Sequence, residues 1–245
     1  MFGWRARLGV LLPPGNPTVE PELYGMAPPG VSLHFARLEA PPSIGPPGGA
    51  AGMEERTRAY REGLAGPATA LGEVRPAVVI LAHTASSYAL GFGNEQPLIE
   101  RIASLTGAPA LLAAHAVLAA LQHLGVKRLA LGTPYPESIS RLGRAYWEAA
   151  GLQVVGYHRL AGVQDIYAES EERADLLARQ ADVPAAEAVL LSGTGLPTVA
   201  VLERLERDLG KPVISSNQAC LWQALRLAGV REVIPGFGRL LRSIS

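Results

Sequence analysis

Short apolar runs alternate along the chain with longer stretches whose apolar positions recur at helical spacing. The runs at 8–12, 31–38, 77–82, 110–113, 128–132, 153–157, 188–192 and 212–215 read as strands. The intervening segments 54–72, 96–105, 115–124, 137–149, 168–181, 198–209 and 218–227 read as helices. This alternation predicts an α/β fold, a mainly parallel sheet with helices on both faces. Ligands of such sheets sit beyond the carboxyl ends of the strands, so the residues just after each strand carry the most interest.

The pattern repeats. Val79-Ile80-Leu81-Ala82-His83-Thr84 is echoed by Val189-Leu190-Leu191-Ser192-Gly193-Thr194. Leu98-Ile99-Glu100-Arg101-Ile102 is then echoed by Val201-Leu202-Glu203-Arg204-Leu205, and Gly107-Ala108-Pro109 by Gly210-Lys211-Pro212. A looser echo links Arg7-Leu8-Gly9-Val10 to Arg128-Leu129-Ala130-Leu131. The expectation is two α/β halves related by a pseudo-twofold axis, 1–113 with 217–245 and 114–216. Their strand ends then face one cleft, with His83-Thr84 on one side and Gly193-Thr194 on the other. The alternative is two similar units with no shared site. The Pro/Gly-rich stretch 41–52 reads either as a mobile loop over the cleft or as a surface excursion.

Composition narrows the chemistry. The 245 residues carry 22 Lys+Arg against 22 Asp+Glu, so no net field gathers nucleic acid or an anionic membrane. Hydrophobic residues make up 48%, enough for a full core. No apolar run approaches a membrane span and the start does not read as a signal peptide, so a cytoplasmic protein is expected. The single cysteine, Cys220, excludes an internal disulfide and a multi-thiolate zinc site, and reads as a small core residue. Lys127 and Lys211 each precede a strand, at the wrong end for imine chemistry, and the histidines show no metal-ligand spacing. No metal and no organic cofactor are expected. Gly91-Phe92-Gly93 is only a G-x-G and opens no helix after a strand, which disfavours nucleotide binding.

The opening Arg7-Leu8-Gly9-Val10-Leu11-Leu12-Pro13-Pro14-Gly15-Asn16-Pro17-Thr18 resembles the start of the maleate isomerase and arylmalonate decarboxylase families of the Asp/Glu racemase superfamily. Thr133-Pro134-Tyr135, Leu191-Ser192-Gly193-Thr194, Pro212-Val213-Ile214-Ser215-Ser216-Asn217 and Pro235-Gly236-Phe237-Gly238 fit the same families, in order along nearly the whole chain. The resemblance implies the pseudo-symmetric two-half fold and cofactor-independent chemistry between two facing cysteines. It puts the first of those cysteines on His83 and the second on Gly193, so both thiols are replaced.

What remains is a carboxylate cradle at the strand ends: Asn16, Thr84, Tyr135, Gly193 and Thr194. The resemblance makes Tyr135 a carboxylate-binding tyrosine. Hydroxyls and N–H groups there suit a carboxylate or the enediolate formed when CO2 or an α-proton leaves. Thr84 and Thr194 also read as N-caps and Asn16 as a turn residue. His83, at the catalytic position by repeat and by resemblance, is the candidate proton carrier, since imidazole titrates near neutrality. Three readings stay open: a decarboxylase- or isomerase-like enzyme on a small carboxylic or dicarboxylic acid, a carboxylate-binding protein that lost its chemistry, and a new activity such as hydrolysis or hydration. The expected partner is a small carboxylate, with a homo-oligomer open.

Overall fold

In the computed structural model, which describes residues 2–243, strands form at all eight expected places. They are β1 (Ala6–Leu12), β2 (Val31–Arg37), β3 (Val78–Leu81), β4 (Ala110–Leu112), β5 (Arg128–Thr133), β6 (Gln153–Arg159), β7 (Ala188–Leu191) and β8 (Val213–Ser215). Between and after them lie α1 (Val19–Met26), α2 (Met53–Glu62), α3 (Ala65–Gly72), α4 (Thr84–Leu90), α5 (Gln96–Thr106), α6 (Ala113–His123), α7 (Glu137–Ala149), α8 (Glu171–Ala181), α9 (Val199–Leu209), α10 (Ser216–Leu227) and α11 (Gly238–Arg242).

The strands form two four-stranded parallel sheets, ordered β2-β1-β3-β4 and β6-β5-β7-β8. Leu8 pairs with Leu33 on one side and Val78 on the other, and Leu129 pairs with Val154 and Ala188 in the matching places. The identical order is the structural form of the sequence repeat. The inner strands β3 and β7 are buried along their whole length, as parallel strands covered on both faces must be. That is why they read as unbroken apolar runs. Met1, Ile244 and Ser245, which the division into halves includes, lie outside the described residues.

One expected helix is corrected. The stretch 54–72 is two helices, because the chain turns at Gly63. A Cβ there would stand 2.7 Å from the Glu39 carbonyl, an approach only glycine permits. α1, α4 and α11 were not expected. α1 carries Pro21 and Gly25, and α4 has only seven residues and is buried on almost every side, so it shows no polar stripe.

One apolar cluster runs from Leu8 and Ile80 in one sheet to Leu131 and Leu190 in the other, and α6 packs against α10. Polar straps cross the same boundary. The Tyr88 hydroxyl accepts from Trp147 Nε1 at 3.0 Å and lies 2.7 Å from Ser192 Oγ. The half-buried Glu22 carboxylate accepts from the Thr198 and Val199 N–H groups at 2.5 and 2.8 Å, capping α9, and from Asn217 Nδ2 at 2.6 Å. Each strap satisfies groups whose burial would otherwise be costly.

Candidate active site

Residues after strands of both sheets line one space. β1 runs out into a turn in which the Asn16 N–H bonds the Pro13 carbonyl. Asn16 Oδ1 then accepts from the Thr18 and Val19 N–H groups at 2.9 and 3.1 Å, holding the start of α1. Its Nδ2 is buried without a partner. Thus the oxygen serves the turn and the nitrogen is left for the cleft.

His83 follows β3 and caps α4 with extended backbone. Its Nδ1 lies 2.8 Å from Ser86 Oγ, and its ring meets Tyr60 edge-on at 5.3 Å. Burial and the nearby Arg61 guanidinium push the imidazole down to about 3, so it is neutral at physiological pH. Tyr135, after β5, is buried, and burial lifts its hydroxyl well above the ordinary tyrosine range. It is a proton-bearing donor at every working pH.

Two cradle residues stand behind the others. Thr84 Oγ1 donates to Ser216 Oγ at 3.1 Å, and the Gly193 N–H donates to the same oxygen at 3.1 Å. Thr194 reaches the cavity wall, but its hydroxyl donates to the Ala82 carbonyl at 2.9 Å and so stitches β3 to β7. The three residues fix the strand ends against one another, and these groups are already taken by protein partners. Ser216 itself was not singled out in the sequence.

Asn16, His83, Tyr135 and Thr194 line one narrow space, constricted here to about 10 Å³, so that an acid larger than water enters only as its walls yield. Its remaining wall is α2. Met53, Arg56, Thr57 and Tyr60 follow the spacing of one helical stripe and face the strand ends. Sequence reading missed them. No sequence signal marks them, since an arginine, a threonine and a tyrosine are ordinary on an amphipathic helix until its inward face is known.

The space is roofed by loops from both halves. Gly49 pairs with Asp165 in an antiparallel bridge, with Ala50 N–H on the Gln164 carbonyl at 3.0 Å and Ile166 N–H on the Gly48 carbonyl at 2.9 Å. The Pro/Gly-rich stretch is therefore a cover on the cleft. Tyr167 closes one side, packed so closely that a Cβ on Gly195 would stand 2.6 Å from its ring. Outside the cover, a groove of about 560 Å³ lies between Ala50 and Pro136, and Met53 borders both groove and inner space.

Cys220 lies in α10, away from this wall, and burial pushes its thiol up to about 12. Among the described residues, no group of three or more His, Cys, Asp or Glu side chains could hold a metal ion. No helix among them is long and apolar enough to cross a membrane. The chemistry of the site is that of neutral donors and one guanidinium around a narrow, buried space, an arrangement suited to a localised negative charge.

Comparison with known proteins identifies the family and the fold. The family model for arylmalonate decarboxylase matches residues 53–241. Arylmalonate decarboxylase of Bordetella bronchiseptica is 35% identical over 170 residues, spanning 67% of this chain and 70% of its own. Maleate isomerase of Nocardia farcinica is 29% identical over 252 residues, spanning 98% of this chain and 96% of its own. A solved structure of the Nocardia farcinica enzyme, holding a covalently bound succinylcysteine intermediate, superposes with a TM-score of 0.85 at 26% identity and covers 98% of this chain and 99% of that one. The chain belongs to the arylmalonate decarboxylase family, within the Asp/Glu racemase superfamily, and is an enzyme of the decarboxylase and isomerase kind.

Proposed function

We propose that this protein is a cofactor-independent enzyme that decarboxylates a small dicarboxylic acid, or moves a proton on a small carboxylic acid, through an enediolate held between its two halves. The observation that carries this is a set of buried polar atoms. Asn16 Nδ2, Thr57 Oγ1 and Tyr60 OH have no hydrogen-bond partner, and all three residues line the space that His83 and Tyr135 share. Buried polar groups are rarely left unpaired without a ligand to take them.

In the decarboxylation, the bond between the α-carbon and one carboxyl group breaks. Its electron pair moves into the remaining carboxylate, CO2 leaves, and the resulting enediolate places its charge on two oxygens. Tyr135 and Asn16 are the donors proposed to hold those oxygens in a site that admits little water. The α-carbon then takes a proton. His83 is its proposed source. The neutral imidazole of the empty cleft is a poor acid-base group, but a bound carboxylate beside it favours the imidazolium form. The ligand thus prepares the proton it later receives.

Two other chemistries fit less well. Racemisation needs a proton carrier on each face, and Gly193 has no side chain to serve as one. Addition of a thiolate, as the succinylcysteine of the Nocardia enzyme implies for that protein, lacks its nucleophile here. The alternative is a carboxylate binder without turnover, favoured by the engagement of His83 with Ser86. Incubation of methylmalonate and of carboxymethylmalonate, whose side chain ends in a carboxylate, with the protein in D2O decides between them. The enzyme reading expects CO2 release and one enantiomer of α-deuterated product. Binding of the acids without CO2 or deuterium uptake would leave the binder.

A further inference from the structure

Opposite the strand ends, α2 builds a second polar wall. Arg56 is 3% exposed, Thr57 0% and Tyr60 3%, so all three are interior residues. The Arg56 guanidinium donates to the Ile44 carbonyl at 3.1 Å, to the Ala51 carbonyl at 2.8 Å and to the Gly49 carbonyl. These acceptors are neutral and belong to the cover loop. Among the described residues no carboxylate forms an ion pair with it. A buried cation whose neighbours are only carbonyl dipoles lacks the counter-charge that makes such burial tolerable. Thr57 Oγ1 and Tyr60 OH, one residue and one helical turn further along the same wall, have no partners.

We propose that Arg56, Thr57 and Tyr60 form a specificity subsite for a second anionic group on the ligand, so that this cleft selects small acids with a charged end and rejects apolar or aryl ends. The inference rests on the reading of the strand ends as a carboxylate cradle. An anion at α2 would supply the missing counter-charge and accept from both free hydroxyls, and the cover loop holds the guanidinium in place for it. An aryl or alkyl group at the same spot would leave the hydroxyls desolvated and unpaired, the condition under which a polar site discriminates most strongly.

The test uses three propionates that differ only at the far carbon: succinate, butyrate and phenylpropionate. Calorimetry on the whole protein should give succinate about tenfold or more tighter binding than either monoacid. R56Q should bring the three within about twofold of one another, whatever the loosened cover costs all of them alike, and R56K should retain part of the preference. T57V, which leaves the cover loop untouched, should weaken succinate several-fold and butyrate hardly at all. Thermal melts check that each variant is folded. If R56Q unfolds, R56K and T57V still decide the matter. Equal binding of all three acids by the unmodified protein, or an undiminished succinate preference in folded R56Q and T57V, overturns the subsite and leaves the cradle standing. Failure of all three acids to bind overturns both.

Discussion

A Cβ added to Gly193 would lie 3.1 Å from the Tyr135 hydroxyl, on a backbone whose φ is +109°. The cleft is thus closed to a side chain on its second half for two separate reasons, conformation and contact. Gly193→Ala should cost about 1–3 kcal/mol, from strain at positive φ and from overpacking. Tyr135→Phe removes the nearer atom, so the double variant should be more stable than the sum of the single changes implies. Chemical denaturation of the four proteins measures the coupling, and strict additivity would show that contact plays no part. The same geometry bears on rebuilding the thiol pair with His83→Cys and Gly193→Cys: the second change should need Tyr135 to yield.

Glu22 links α1 of the first half to the start of α9 and to Asn217 on α10. Glu22→Ala strands the Thr198 and Val199 N–H groups and Asn217 Nδ2 in the interior. The expected loss is about 2–4 kcal/mol, read as a lower denaturation midpoint. Glu22→Gln keeps the two backbone bonds but turns an NH2 toward Asn217 or gives up one bond to avoid doing so, and should fall between. A Glu22→Ala protein as stable as its parent would show that these groups find water.

Strands were legible because a parallel strand covered on both faces must be apolar throughout, as 78–81 and 188–191 are. The repeat carried the rest of the architecture, since two like halves place like strand ends together. Thr194 follows from the repeat, His83 from the repeat and the family resemblance, Asn16 from its place after the first strand and Tyr135 from the resemblance, and all four line the same space. The uses of the Thr84 and Thr194 hydroxyls were not legible. Their partners, Ser216 and the Ala82 carbonyl, lie 132 and 112 residues away and become neighbours only across the halves. The α2 wall was missed for a different reason. Arg56, Thr57 and Tyr60 are ordinary residues on an amphipathic helix until the helix is known to turn that stripe inward.

The cover over the cleft depends on glycine at 48. A side chain there would collide with Asp165 Oδ1, which itself accepts from the Tyr167 N–H at 2.8 Å. Gly48→Val should therefore part the two loops while leaving the sheets intact. Limited proteolysis should cut first within 41–52, and the apparent affinity for any small acid should fall because water enters the site. Asp165→Asn, which keeps the oxygen acceptor and the shape, should behave like the parent. Protection of the loop in a folded Gly48→Val protein would mean that the cover closes without this bridge.

His83 ties stability to pH in a way that identifies it. Its folded value is depressed to about 3, against the ordinary value of about 6.5 that the unfolded chain adopts. Acidification through that window protonates the unfolded chain first, so the stability linked to His83 is present above about pH 6.5 and is lost as pH falls toward about 3. His83→Asn cannot titrate, and the difference between the two proteins should shrink as pH falls. In the empty protein, imidazole resonances of His83 should show no protonation between about pH 8 and about pH 5. A bound small dicarboxylate should move that titration upward, because its negative charge stabilises the imidazolium it faces. His83→Ala should then lose about a hundredfold or more in turnover, the usual range for a missing general acid or base, with acid affinity little changed. An imidazole that titrates normally without ligand would contradict the burial of this ring. An unmoved titration in the complex, together with full activity in His83→Ala, would assign the proton to another group in the cleft, of which Tyr60, whose ring meets that of His83 edge-on, is one candidate.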